Sequence, residues 1–418
     1  MIFSTYLPGL ILRGRWLGLV GAIAASSAGA VTQEIRALFT PDPSNPQSNK
    51  FINKTPVSGY CADYPDQCAA NNTFSIRVPM QFASTKPIQP GAAQRQGAMF
   101  KVPTQWRALT VTNADTGETE QVEVRIAGIG LDYILSDTAA NLTGASNAGD
   151  GHRSLWNGSS WVNAAPPCTY SGVGAYGNSS YRFFWKTPVE GVCAKVARFL
   201  IPAMSYDTLD FSYELRTPNP LGMSSGLYTG SLNYRIGPYG DFDMGDVMVP
   251  DDSSLALNFV LDVQHTLKVD IPPGGNKVEL VPEGGWQSWL QSGRRPVRVF
   301  RDQTFNISAS SRFKMQVQCE TYLSQYCVIR DPVSPRRAIE MDISVSLPNG
   351  LTDLSGQPVR RSPIHTQLSP TFQPAIYVDR APGVLHFEIG PSWVWYMLQP
   401  GGGLNYVGNV TVIWDSEI

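Results

Sequence analysis

The sequence predicts an all-β protein made of two immunoglobulin-like β-sandwich domains. Three observations carry this. Short runs alternate apolar and polar residues, as strands with one buried face do. Gly and Pro are abundant, 38 and 32 among 418 residues, and they punctuate these runs as turns. No long run repeats with helical period. Charged residues are only 16%, against about 25% in typical soluble domains. An apolar share of 42% can build a sizeable core, which excludes a disordered chain. A formal net charge of −2 provides no basic balance for nucleic acid.

The start of the chain reads as an export signal. Arg13 and Arg15 precede the apolar run 16–25, and Ala28-Gly29-Ala30 has the small-x-small spacing of a signal-peptidase site. Residues 1–30 are expected to be a signal peptide, with the mature chain starting at Val31. The run is too short for a span of roughly 20 residues, and no later run qualifies. The mature protein is therefore expected to be exported and soluble. Its six cysteines suit an oxidising compartment. Neighbour pairing is the simplest arrangement: Cys61 with Cys68, Cys168 with Cys193, Cys319 with Cys327. None has a zinc-site spacing, and no metal or other cofactor is expected.

Residues 31–60 are polar and contain Pro, and they read as a loosely held arm. Strands then follow at 73–78, 107–112 and 121–126, the last two joined by the turn Asp115-Thr116-Gly117-Glu118. Residues 136–180 lack periodicity and scatter Trp156, Trp161, Tyr170 and Tyr176 among Gly, Ser and Asn, which reads as a long loop. Such aromatics suit an adaptable recognition surface; closing the edge of a core is the other reading. Strands resume at 181–186, 194–201, 209–215, 227–236 and 255–263. A domain boundary is placed near 263–268. Beyond it strands are expected at 277–281, 297–300, 305–308, 313–317, 338–345, 376–378, 384–387, 394–398 and 405–414, separated by turns such as Pro272-Pro273-Gly274-Gly275 and Pro400-Gly401-Gly402-Gly403.

Catalytic chemistry is thin, and no enzyme activity is expected. Gly222-Met223-Ser224-Ser225-Gly226 spells a nucleophile elbow, which needs a strand before it and a helix after it. Pro218 and Pro220 precede it, and a strand follows. Asp241, Asp243 and Asp246 read as a solvated acidic turn. They lack the spacing and closing Glu of a calcium loop.

The end of the chain is more informative. Tyr406 to Trp414 alternate, and the sequence stops four residues later. A sandwich ending on such a strand can lack its closing partner, and unpaired edges recruit another chain's strand. Here a resemblance emerges. Cys193 is followed by Leu200-Ile201-Pro202-Ala203. Gly226 to Leu232 form the next strand. Gln399 to Val410 read Gln-Pro-Gly-Gly-Gly-Leu-Asn-Tyr-Val-Gly-Asn-Val. In this order, with the local pair Cys61 and Cys68, the chain resembles the two-domain tip adhesins of alternate chaperone–usher fimbriae. These are the colonization-factor tip adhesins and the related CblD-like pilus biogenesis initiators.

The resemblance implies a receptor-binding domain over 31–263 and a pilin domain over 264–418. It further implies that the pilin fold is incomplete and needs a donor strand. The implied partners are a periplasmic pilus chaperone, an outer-membrane usher, a major pilin subunit that donates the strand, and a host surface receptor of the glycan class. The implied location is the fimbrium tip, reached through the periplasm. The intestinal members' arginine cluster has no counterpart: Gly237-Pro238-Tyr239 stands there, with only Arg235 nearby. Receptor-binding candidates are therefore taken from the local chemistry: Trp156, Trp161, Tyr170, Tyr176, Arg182, Lys186 and Arg235. Tyr406, Val410, Val412 and Trp414 are the donor-strand groove candidates. An assembly initiator without a receptor, and a secreted β-sandwich hydrolase using Ser224, are the rival readings.

Overall fold

A computed structural model describes residues 31–399 and 405–416. The expected signal peptide and the turn at 400–403 lie outside these residues. The chain forms two β-sandwich units with separate hydrophobic cores, one drawn from Ile35 to Val263 and the other from Val299 to Val394. No helix among the described residues is long and apolar enough to cross a membrane.

In the first unit a strand of 17 residues, Thr119–Leu135, organises the sheet. Its first part pairs with Arg107–Asn113 as the expected hairpin. It then pairs with Leu209–Arg216, and its last part pairs with Ser180–Lys186 and Met204–Tyr206. One strand thus serves successive neighbours, and the sheet curls around the core. Gly128 and Gly130 allow this. A Cβ at Gly128 would lie 2.6 Å from the Phe184 ring, and one at Gly130 would lie 2.5 Å from it.

Several expectations are corrected. Residues 31–60 are not all a loose arm. Val31–Phe39 is a strand running parallel to Ser254–Val263, with Ile35, Ala37 and Phe39 buried. Its partner lies more than two hundred residues away, so local polarity gave no sign of it. The 136–180 segment is not a structureless loop. Helix Ala139–Thr143 is capped by the Thr138 side chain, helix Ala148–Leu155 by that of Asn147, and Thr169–Tyr176 is a strand. Each cap satisfies a backbone N–H that the first helical turn leaves open. The strand expected at 394–398 is instead helix Pro391–Met397, where Pro391 stands in the first turn and needs no N–H to donate. The three disulfides join the neighbouring cysteines.

The second unit has two facing sheets. One runs Leu267–Asp270, Val299–Ala309, Val378–Ile389, Ala338–Ser346, Tyr326–Arg330, Tyr322–Leu323. The other runs Leu351–Asp353, Thr371–Pro374, Phe313–Cys319, Val410–Ser416. Polar contacts join the two units. His265 bonds the Met223 carbonyl and the Ser310 hydroxyl, at 2.9 and 3.1 Å. Arg312 donates to the Gly222 carbonyl at 3.0 Å.

Candidate functional site

The receptor candidates separate into two groups. Trp156 and Trp161 are 1% and 0% exposed, so neither can meet a ligand at the surface. Trp161 packs edge-on against Tyr133, Trp156 and Phe183 at 5.0, 5.0 and 4.7 Å, and stacks on Trp185 at 5.3 Å. These tryptophans are core, and between them the carbonyls of Gly158, Ser159 and Ser160 accept from the buried Lys195 ammonium. Gly and Ser around an aromatic read as a loop, yet here they wrap a buried cation.

Tyr170 and Tyr176 are exposed, at 62% and 59%. They lie on Thr169–Tyr176, which is hairpinned to Ser180–Lys186, where Tyr170 pairs with Trp185 and Tyr176 with Tyr181, so both tyrosines share the face of Tyr181 and Trp185. Along Ser180–Lys186 the buried Tyr181, Phe183 and Trp185 face the main core. Arg182, Phe184 and Lys186 alternate onto the opposite face. There Phe184 is buried beneath the disulfide-stapled helices Tyr60–Asp63 and Pro65–Asn71, with Tyr60 stacked on it at 3.9 Å. Arg182 is already engaged: it pairs with Asp63 and lies 3.8 Å from Asp210. Asp210 is held by Arg77 through two bonds of 2.8 Å, and burial raises its pKa. Arg235 is exposed but sits on Gly226–Arg235, elsewhere in the sheet. Of the seven candidates, only Arg182 and Lys186 share one face of one strand; Tyr170 and Tyr176 lie on its other face. Sequence reading missed Tyr60, whose signal was its place next to Cys61.

The acidic turn is not solvated. Asp243 is buried and paired with Arg95 at 2.7 Å, Asp246 pairs with the same guanidinium at 2.8 Å, and Asp241 pairs with Arg107. Ser224 gains no base. Its N–H donates to Glu118 and Tyr228, while both nitrogens of His265 are taken elsewhere. Ser346, His386 and Asp302 do form a chain in hydrolase order, at 2.9 and 2.7 Å, across three adjacent strands. However, the Arg361 N–H donates to the Ser346 oxygen at 3.0 Å, and the Arg361 guanidinium stands 3.7 Å from Asp302 and 3.3 Å from Glu388. The group is a network of ion pairs and hydrogen bonds tying strands and a loop together.

The second candidate site is the edge of the second unit. Val410–Ser416 pairs on one side with Phe313–Cys319. Among the described residues no strand pairs with its other side. Val410, Val412 and Trp414 alternate toward the core but are only half-buried, as are Leu267 and Val269 on the edge of the facing sheet. The Trp414 ring meets Phe305 edge-on at 5.6 Å, and its indole N–H is buried with no partner. Tyr406 lies before this strand, not in it, and packs half-buried against the same core. The result is an apolar trough bordered by an unpaired backbone edge.

No protein-family model and no curated protein matches this chain. Solved structures do show a likeness. A chaperone–tip adhesin complex described as vital for CFA/I fimbriae biogenesis is 11% identical, with 93% of this chain and 97% of that chain covered and a TM-score of 0.25. CfaE, the adhesive subunit of the CFA/I fimbria of enterotoxigenic Escherichia coli, is 9% identical over 93% of this chain and 95% of that one, TM-score 0.26. The CsuC–CsuE chaperone–tip adhesion subunit complex from the archaic Csu pili of Acinetobacter baumannii is 10% identical over 92% and 98%, TM-score 0.22. At these values the functional reading rests on the chain's own residues.

Proposed function

We propose that the chain is the minor subunit at a fimbrial tip: it binds a host glycan through residues 31–263 and initiates pilus assembly through residues 264–418. The observation that carries this is the open edge at Val410–Ser416, with Val410, Val412 and Trp414 half-buried beneath it. A free sheet edge of this kind aggregates unless another strand covers it. A donated strand supplies main-chain hydrogen bonds and apolar side chains for the trough. A periplasmic chaperone lends the strand first, and a major pilin replaces it at the outer-membrane usher. The first domain occupies the place from which a pilin would extend its own donor strand. The subunit can then accept a strand but not give one, which puts it at the tip.

The test appends a flexible linker and a strand of alternating apolar residues to the C-terminus. Three apolar side chains filling the trough contribute roughly 1.5–3 kcal/mol each before ordering costs. The melting temperature of the second domain should rise by more than about 8 °C. An unchanged melting temperature, with no new amide protection along Val410–Ser416, would overturn the reading.

A further inference from the structure

The geometry points to a binding cleft for one carboxylate-bearing sugar residue on the outer face of the first domain, beneath the helices Tyr60–Asp63 and Pro65–Asn71. This rests on the adhesin reading and gives it a site. The cleft holds about 190 Å³. That is room for a single ring. The stacked rings of Tyr60 and Phe184 form its apolar wall. The charged groups lining it are Arg125, Glu214 and Lys186. Arg125 and Glu214 neutralise each other at 2.8 Å. Lys186 has no ion-pair or hydrogen-bond partner for its ammonium among the described residues, so the cleft carries one uncompensated positive charge.

A second observation points to a ligand. Thr187 also lines the cleft, is only 6% exposed, and its hydroxyl is buried with no hydrogen-bond partner. Buried hydroxyls without a partner are uncommon, because each costs about 1–3 kcal/mol. An acidic sugar answers these features together. Its carboxylate pairs with Lys186 in a charge-assisted bond, a ring hydroxyl bonds the Thr187 hydroxyl once that side chain rotates toward the cleft, and its C–H face lies against the aromatic wall. Thr169 and Pro188 at the mouth are exposed, which leaves a path for the rest of an oligosaccharide to run outward.

The test titrates the full chain with 3′-sialyllactose and with lactose, reading saturation-transfer NMR and calorimetry. Sialyllactose should bind at least tenfold more tightly than lactose. Lys186→Gln should erase that preference, while Lys186→Arg keeps it within about threefold. Equal affinity for the two sugars, or a preference unchanged in Lys186→Gln, overturns the cleft. So does binding of neither sugar, and a broad glycan array then separates the two readings. Array signal retained by Lys186→Gln leaves the adhesin standing without this cleft. Absence of signal on every glycan and on host cells removes both. Unchanged melting temperatures establish that the variants are folded.

Discussion

Replacing Lys195 with methionine should flatten the pH dependence of the first domain's stability. Lys195 is 4% exposed, and its Nζ donates to the carbonyls of Gly158, Ser159 and Ser160 at 3.1, 3.2 and 3.3 Å. Burial pushes its pKa down from 10.5 to about 8. Unfolding returns the group to water, where it keeps its proton to about pH 10.4. Between about pH 8 and pH 10 the unfolded chain therefore binds more protons than the folded one, and stability rises with pH. At about 1.4 kcal/mol per pH unit, the gain from pH 7 to pH 9.5 comes to roughly 2 kcal/mol. The assay is urea unfolding at both pH values, with peptides from Ser180–Lys186 and Cys193–Lys195 followed by pulse-labelling mass spectrometry. Other groups also titrate in this range, so the readout is the difference between wild type and Lys195→Met. Wild type should gain roughly 2 kcal/mol more than the variant. Parallel pH profiles would refute the reasoning, because they would mean that the Lys195 proton is held equally in the folded and unfolded chains.

Other predictions follow from the same geometry. Trp161→Ala should destabilise the first domain by about 3–5 kcal/mol, as truncation of a buried tryptophan does; a neutral effect on urea midpoint would contradict its core placement. Val412→Asp places a charge in the apolar trough and should cut capture by a co-expressed periplasmic chaperone at least tenfold, measured by co-purification; full capture would contradict the trough's role. The exported protein should begin at Val31 by N-terminal mass spectrometry, which would set its new ammonium against Asp252, already 3.1 Å from the Val31 nitrogen.

The parts of the fold that were legible in the sequence are those built from local alternation. Ser254–Val263 shows it plainly, with Leu255, Leu257, Phe259, Leu261 and Val263 all buried. Val410–Ser416 shows it too, with Val410, Val412 and Trp414 packed against the second core. Three features stayed hidden, each for a physical reason. The pairing of Val31–Phe39 depends on a strand more than two hundred residues away. The apolar run near Val394 has β-forming residues, but Gly390 and Pro391 set the start of a helix instead. The burial of Trp156 and Trp161 depends on Tyr133, Phe183 and Trp185, rings supplied by strands on either side of the segment. The cleft was half legible. Lys186 was a candidate and Thr187 follows it directly, but Tyr60 and Arg125 come from two separate stretches that only the curled sheet and the Cys61–Cys68 staple bring to them.

In the proposed function, attachment resides in residues 31–263 and assembly in residues 264–418. The most direct measurement deletes residues 31–262 behind an intact export signal and scores two quantities on the same cells: the amount of chaperone complex and pilus, and adherence to host cells. Chaperone binding should persist while adherence falls to background. Adherence retained by pili carrying the truncated subunit would contradict it.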